Sequence, residues 1–324
     1  MTTTTPYVGH AELKSFADQR VNLHRDDVAD RRAQVARLRE RLENHIKEHP
    51  DYGLVKMLHS GSVAKGTALS TLNDMDVAVY VKSNVAPHEE RDLINWLVDR
   101  LREIYTNMAH DQIQPSTHCA RVEFRGTGLW VDVVPVLYEG DADDRGYLIV
   151  KDTGDRVLTS IPLHLRFVRA RKDVWPDHYA QVVRLLKWWV RERKLENKNF
   201  RFKSFVAELL CAHVGAMGVS LSDYAGALEG IFTYIVKTEL KARIAFADYY
   251  KSSELPEETR AAIEIFDPVN PNNNVTAGYT DSDRRAFVEA AQDALDSITE
   301  AHYATTKGRA VERWQEVLGT SFKG

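Results

Sequence analysis

The chain has 324 residues, 44% hydrophobic and 28% charged, which exceeds the size at which one hydrophobic core usually stops growing, so two packed lobes are expected. Its 43 Lys and Arg against 47 Asp and Glu give a net charge of −4, which argues against a generally basic nucleic-acid-coating protein. No run approaches 18 apolar residues and the amino-terminal stretch lacks the regions of a secretory signal, so neither a membrane span nor export is expected.

The first strong pattern is a long amphipathic helix over residues 26–48. Apolar residues recur there at spacings of seven, three, four and four, at Val28, Val35, Leu38, Leu42 and Ile46. Pro50 is expected to stop this helix, because proline lacks a backbone N–H and restricts the residue before it.

Four short Val-rich segments, each bounded by turn residues, then predict strands of one sheet over residues 54–59, 75–81, 120–125 and 129–137. Between the second and third segments, residues 89–105 carry an apolar stripe at helical spacing, which predicts a helix that covers the sheet. Residues 1–174 are therefore predicted to form an α+β core.

After about Trp175 the strand pattern disappears. Helices are predicted over residues 178–194, 204–217, 224–240, 281–301 and 307–318. Residues 175–324 are thus expected to form a helical second lobe. No long linker separates the halves, so a cleft between the two lobes is the expected ligand site.

The cysteines and histidines give no sign of a zinc site. Cys119 and Cys211 have no second Cys or His at a zinc-ligand spacing, and they are interpreted as reduced core residues of a cytosolic protein. No histidine is followed directly by Glu and then, four residues after the first histidine, by a second one, so the H-E-x-x-H pattern of zinc hydrolases is absent. A bound metal is therefore expected to have carboxylate ligands.

The most informative stretch is HSGSVAKGTALSTLNDMDVAVYV, residues 59–81, in which Asp74 and Asp76 open a predicted strand. Side chains two apart in a strand share a face, so both carboxylates converge while Val77 and its alternate neighbours face the other way. Adjacent like charges on an apolar strand are costly unless a divalent cation lies between them, and Mg²⁺ prefers oxygen ligands. The pair therefore predicts a magnesium site.

A third carboxylate extends this prediction. Asp132 lies inside LWVDVVPVL, the most apolar predicted strand, where an unpaired charge is hard to tolerate. Three strand carboxylates suit a site for two Mg²⁺ ions, with Mn²⁺ as an expected substitute, in which one ion activates an attacking hydroxyl and the other stabilises a triphosphate.

The turn at Gly61 and Ser62 offers backbone N–H groups and a hydroxyl that suit phosphate oxygens. Gly61 and Gly66 have the spacing of a P-loop, but Thr67 stands where that motif requires Lys, so a Walker A motif is rejected. The alternative for the whole stretch is a surface hairpin with solvated acids. The glycine–serine turn, the D-x-D pair and the distant Asp132 together favour a functional site.

These motifs resemble those of a known family. The stretch GSVAKGTALSTLNDMDVAVYV with the later VDVVP is similar to the G-S…D-x-D…D signature of the polymerase β-like nucleotidyltransferases. The segments RLLKWWVRERK, FRFKSFVAELL and FDPVNPNNNV resemble the branch shared by 2′-5′ oligoadenylate synthetases and the bacterial cGAS/DncV-like nucleotidyltransferases (CD-NTases). The resemblance spans nearly the whole chain and is strongest to the C clade, which serves CBASS anti-phage systems.

The resemblance implies a set of site residues. Gly61 and Ser62 match the family's phosphate turn, and its three metal ligands match the aspartates at 74, 76 and 132. Lys187 matches a lysine that contacts the donor triphosphate, and Ser204, after Lys203, matches a serine at the same phosphates. The segment that begins at Asp267 lies near the nucleotide pocket in related enzymes, so Asp267 is a candidate for structuring that pocket or contacting a base.

Each helical-lobe candidate also has a purely structural interpretation. Without the resemblance, Lys187 is a solvated helix position. Lys203 and Ser204 are equally the start of a helix, with Ser204 as its cap. The segment from Asp267 is adequately explained as a loop stabilised by Asx turns.

The resemblance implies a template-independent nucleotidyltransferase that cyclises ATP, with other NTPs as further candidate substrates, into a cyclic oligonucleotide such as cyclic tri-AMP. It also implies control by a HORMA-domain protein and a AAA+ remodeller, with DNA as a candidate activator through the basic residues at 166, 169, 171 and 172. Two alternatives stay open: a linear oligoadenylate synthase or AMP transferase to another acceptor, and a catalytically degenerate nucleotide- or RNA-binding protein.

Overall fold

The computed structural model describes residues 6–49, 52–71, 73–82, 89–257 and 259–324, without the side chains of residues 25–27. Contacts divide the chain into two compact units. The sheet unit is Leu23–Val168, and the helical unit joins the segment that ends at Asn22 to Arg169–Gly324.

The described strands of the sheet unit form one mixed sheet. They are β1 (Gly53–Ser60), β2 (Asp74–Lys82), β3 (Ile113–Pro115), β4 (Ala120–Phe124), β5 (Leu129–Tyr138), β6 (Gly146–Ile149) and β7 (Arg156–Thr159). Their order is β1-β2-β5-β4-β3, and β6 pairs with the end of β5 and with β7. Only the β2–β5 pair is parallel among these described pairings.

The helices of both units complete the element list. They are α1 (His10–Phe16), α2 (Arg25–Glu48), α3 (Gly61–Lys65), α4 (Leu93–Ile104), α5 (Ile161–Val174), α6 (His178–Glu196), α7 (Ser204–Ala216), α8 (Tyr224–Thr238), α9 (Asp281–His302) and α10 (Lys307–Leu318). A π-helical turn, Ala17–Val21, follows α1. Among the described residues, no helix is long and apolar enough to span a membrane.

The core of the sheet unit lies between α2, α4 and one face of the sheet. The predicted apolar stripe of α2 is buried there from Val35 to Ile46, and Val77 and Val79 of β2 contribute from the sheet. Because side chains alternate along a strand, Asp74 and Asp76 fall on the opposite face. The predicted helix is confirmed and ends at Glu48, while Pro50 lies outside the described residues.

The helical unit has an aromatic core. Trp189 of α6 contacts Phe200, Phe232 and Phe287, with ring centroids 4.9–6.0 Å apart. The α+β fold with a helical second lobe is confirmed. The predicted domain boundary at 174/175 stays a prediction. By contacts, the two units divide at 22/23 and at 168/169, and the second division lies inside α5.

Candidate functional site

The parallel pairing of β2 with β5 brings the predicted carboxylates together. Asp76 is the register partner of Asp132, and Asp74 is the partner of Trp130. The aspartates therefore share one face of the sheet, opposite the face that carries Val77 and Val133 into the core.

Electrostatics report the same proximity. The pKa of Asp76 is raised to about 6, first by burial and then by the negative charges of Asp74 and Asp132. The positive charges of Lys65 and Arg121 act in the opposite direction on this pKa. A partly buried group of three carboxylates on neighbouring strands is a donor set that suits a hard divalent cation.

Gly61 lies directly against this group. A Cβ atom on Gly61 would stand 1.7 Å from Oδ2 of Asp76, and the residue has φ +67°, which favours glycine. The sequence had suggested only that a small residue leaves backbone N–H groups accessible. The structure adds that the turn of Gly61 and Ser62 packs on a carboxylate of the predicted site. Gly61 and Ser62 are the first two residues of α3, and Gly66, which caps the end of this helix, is in the left-handed conformation.

Arg121, which the sequence analysis did not single out, pairs with Asp132. Its Nε donates to Oδ1 of Asp132 at 2.7 Å and its Nη2 donates to Oδ2 at 2.8 Å. The two residues are direct partners across the antiparallel β4–β5 pair. The prediction that Asp132 needs compensation for its charge is therefore met by an arginine in this structure. Within the described residues, no three His, Cys, Asp or Glu side chains are placed together as ligands of one metal ion.

Lys187 is buried in the helical unit, so its interpretation as a solvated helix position is wrong. Its side chain is 6% exposed, and Nζ donates to Oε1 of Glu208 at 2.8 Å. Glu208 lies on α7 and is 3% exposed, and the hydroxyl of Tyr179 donates to its backbone carbonyl. Burial and the low local dielectric make each charge depend on the other. Glu208 was also missed, because a lone Glu in an apolar helix gives no signal without its partner.

Lys203 and Ser204 lie at the start of α7, as the structural interpretation expected. The capping residue is Lys203 and not Ser204, which is the first residue of the helix and is exposed. Nζ of Lys203 donates to the backbone carbonyl of Val275 at 2.8 Å, and its backbone N–H donates to the hydroxyl of Tyr279. Lys203 thus ties the beginning of α7 to the segment that follows Asp267.

Asp267 is 4% exposed and its carboxylate bonds within its own loop. Oδ1 accepts from the backbone N–H of Val269 at 2.9 Å, and Oδ2 accepts from the amide of Asn273 at 3.3 Å. These contacts match the Asx-turn interpretation and account for the buried charge. A role in structuring the loop fits this geometry.

Arg171 does not offer a free basic surface. Its side chain is 11% exposed, and Nη2 lies 2.8 Å from Oδ2 of Asp248. Its guanidinium also lies over the rings of Phe246 and Tyr249. One of the four residues expected to contact DNA is therefore committed to packing inside the helical unit.

The sequence was compared with protein families and with known proteins. Residues 9–156 match the model of the Second Messenger Oligonucleotide or Dinucleotide Synthetase domain. The chain is 48% identical, over 99% of its length and 100% of the relative, to a cyclic AMP-AMP-AMP synthase from Escherichia coli strain MS 115-1. The chain belongs to the CD-NTase family of CBASS oligonucleotide cyclases. It is also 31% identical, over 97% of both chains, to the CBASS oligonucleotide cyclase CdnC of E. coli strain KTE188.

Solved structures agree with this assignment to the CBASS cyclases. The E. coli MS115-1 CdnC structure with ATP superimposes with a TM-score of 0.88, covering 98% of this chain and all of that one. Vibrio cholerae DncV in its apo form, 12% identical, superimposes with a TM-score of 0.71 over 97% and 96% of the two chains, and so shares the fold. The chain is thus a nucleotidyltransferase with the architecture of the family.

Of the predicted site residues, the structure gathers those of the sheet unit. Gly61, Ser62 and the three aspartates belong to one sheet and its adjoining turn. Lys187, Lys203, Ser204 and Asp267 belong to the helical unit. That the second group completes the site of the first stays a prediction.

Proposed function

We propose that this CBASS cyclase joins three ATP molecules into cyclic AMP-AMP-AMP with release of pyrophosphate. The observation that carries the proposal is the D-x-D pair of β2 in parallel register with Asp132 of β5, in a chain 48% identical to a cyclic AMP-AMP-AMP synthase. A nucleotidyl transfer needs charge neutralisation at a triphosphate more than it needs covalent chemistry, and three carboxylates on one face of two adjacent strands serve that purpose through divalent cations.

Divalent cations are typical cofactors of this family. We propose that Asp74, Asp76 and Asp132 hold two of them, Mg²⁺ in the first place and Mn²⁺ as a substitute. The support is the donor set itself: three carboxylates share one face, and burial, followed by mutual repulsion, raises the pKa of Asp76. When bound, such ions neutralise the triphosphate and increase the acidity of the acceptor hydroxyl.

The protein's own groups position the nucleotides. We propose that backbone N–H groups and the hydroxyl at Gly61 and Ser62 bind phosphate oxygens of the donor ATP, and that Asp132 accepts the proton of the acceptor ribose hydroxyl. We propose that Lys187 and Ser204 add contacts to the same triphosphate, and that Lys203 and Asp267 hold the adjoining loop in place. Support for these helical-unit roles comes from the family motif and from the bonds of Lys203 and Asp267.

The proposed protein partners of this enzyme are inferred from those of its relatives. The E. coli MS115-1 CdnC was solved as a complex with HORMA-deltaN, and that chain is 48% identical to this one over 98% of its length. We propose that a HORMA-domain protein binds this enzyme too. A AAA+ remodeller of that complex and activation by DNA are proposed from the family resemblance alone.

The test of the proposed function is product analysis. The protein is incubated with Mg²⁺ and all four NTPs, alone and with a HORMA-domain protein and DNA. The products are treated with phosphatase and analysed by mass spectrometry. We expect a phosphatase-resistant species with the mass of three AMP units less three waters. A linear product or an AMP adduct would instead identify another transferase.

Two variants make this test specific. Asp74→Asn with Asp76→Asn is expected to abolish the product, because it removes two of the three proposed ligands. Asp111→Asn is the matched control, since Asp111 is an exposed acid of the same unit that pairs with Arg125. Product formation that survives in the double variant would contradict the assignment of this site.

A further inference from the structure

Arg121 and Asp132 form a bidentate ion pair. Two parallel hydrogen bonds of 2.7 and 2.8 Å join the guanidinium to both carboxylate oxygens, which is the strongest arrangement available to this pair of side chains. Strand register fixes it, because the two residues stand directly opposite each other on β4 and β5. The Asp132 side chain is 16% exposed and that of Arg121 is 44% exposed.

Arg121 interacts with the whole acidic group. Its charge acts on Asp74 and on Asp76 as well as on Asp132. Its guanidinium also lies 5.6 Å from the ring centre of Trp130, which precedes Asp132 by two positions and is partly exposed. Lys65 is a second cation whose charge acts on Asp76.

We propose that Arg121 is a positioning residue that competes with a divalent cation for Asp132. This competition sets the cation concentration at which the site becomes occupied. The inference rests on the function proposed above. A metal ion bound to the same carboxylate lies a few ångströms from a guanidinium that cannot lose its proton, so each positive charge disfavours the other. Arg121 is partly exposed and its guanidinium already lies over the ring of Trp130, so its side chain can move away from Asp132 toward solvent while it keeps that ring contact.

The experiment measures Mn²⁺ binding to the full-length protein without nucleotide, by electron paramagnetic resonance of free Mn²⁺. Arg121→Gln is expected to bind Mn²⁺ about 5- to 10-fold more tightly, since it removes the competing charge. Arg121→Lys retains the charge but loses the paired geometry, and we expect an affinity between those of the wild type and Arg121→Gln.

A matched control and a coupling test separate this effect from general charge. Arg125→Gln removes an arginine just beyond β4 that pairs with Asp111, and it should leave Mn²⁺ affinity unchanged. In an Asp132→Asn background, Arg121→Gln should tighten binding much less, because the direct competition for that carboxylate is gone and only the weaker charge effect on Asp74 and Asp76 remains. A structural role alone would lower stability in both backgrounds without shifting the affinity.

The outcomes distinguish this inference from the proposed function. Equal Mn²⁺ affinity in the wild type, Arg121→Gln and Arg121→Lys would overturn the role of Arg121, while loss of binding in Asp76→Asn would still support the cation site. If Asp76→Asn binds Mn²⁺ as the wild type does, the cation site itself is wrong, and the inference falls with it. Should Arg121→Gln fail to fold, the comparison of Arg121→Lys with the wild type carries the same test.

Discussion

One neighbouring side chain, that of Asp76, requires glycine at position 61. We expect Gly61→Ala to reduce cyclase activity about 100-fold or more, because a Cβ atom 1.7 Å from Oδ2 forces Asp76 out of its position, and displacements of this size cost catalysis heavily. Product formation per unit time under saturating ATP and Mg²⁺ is the measurement.

Gly128 supplies the control for backbone strain. It has φ +66°, nearly the same as Gly61, yet nothing lies within 4 Å of the position that its Cβ would take. Gly128→Ala should therefore cost only the left-handed conformation, about 1 kcal/mol of stability, and leave activity near that of the wild type. Equal loss of activity in both variants would attribute the requirement for Gly61 to backbone strain and not to Asp76.

We expect His213 to make the stability of the helical unit depend on pH. The ring is partly buried on α7 against Tyr234, 5.1 Å between ring centres, and burial lowers its pKa below the ordinary 6.5. The unfolded chain therefore binds the proton more readily. The stabilising contribution of the neutral ring is complete above pH 6.5 and is lost as the pH falls through the lower pKa of the folded state.

Chemical denaturation between pH 5 and 7.5 measures this contribution. His213→Gln should flatten the decline in the free energy of unfolding below pH 6.5, whereas replacement of the exposed His302 by Gln should not change it. An unchanged slope in His213→Gln would assign the acid sensitivity to other groups.

At the scale of single residues, the sequence predicted the acids better than their partners. Asp74 and Asp76 were found because alternation along one strand decides which face they share. Arg121 was not found, because its contact with Asp132 depends on the register between β4 and β5, which a short strand such as ARVEF does not determine. Glu208 was missed for the same reason, since its partner Lys187 lies on another helix.

At the scale of secondary-structure elements, the buried ion pair of Lys187 and Glu208 joins α6 to α7. Lys187→Met alone, or Glu208→Gln alone, should lower the free energy of unfolding, the former by about 3 kcal/mol, because each leaves a buried polar group without its partner. The double variant Lys187→Met with Glu208→Met should recover most of that loss. Thermal and chemical unfolding of the three variants provide the measurement.

The same variants separate structure from catalysis. If Lys187 contacts the donor triphosphate as proposed, the stable double variant should still show a KM for ATP raised about 10-fold or more, since a charged hydrogen bond to phosphate is missing. A double variant with wild-type stability and wild-type KM would make Lys187 a purely structural residue.

Secondary structure was predictable where its pattern was long. The stripe of α2 and the runs of β2 and β5 each extend over nine residues or more, and their observed bounds lie within one residue of the predicted ones. The strands β3, β6 and β7 have three or four residues, too few to show alternation. The helix α5 was missed because Phe167 and Val168 are its only buried residues, so it has no stripe.

At the scale of the molecule, the segment before Asn22 belongs to the helical unit although it precedes the sheet unit in sequence. Phe16 of α1 packs edge-on against Trp188 of α6 at 5.7 Å and against Phe322 at 5.3 Å between ring centres. Its side chain is nearly fully buried, so Phe16→Ala should destabilise the helical unit by about 3 to 5 kcal/mol.

Hydrogen exchange decides whether that loss stays within one unit. We expect Phe16→Ala to lower the protection of backbone amides in α6 and α10 while those of β2 and β5 keep theirs, because the ring contacts of Phe16 are with Trp188 and Phe322 of the helical unit. Leu97→Ala is the matched counterpart, a cavity at a fully buried position of α4 in the sheet unit, and should give the reverse pattern. Loss of protection throughout the chain in both variants would mean that the units unfold together, and the amino-terminal segment would then stabilise the strands that carry Asp74, Asp76 and Asp132 as well as the helices it contacts.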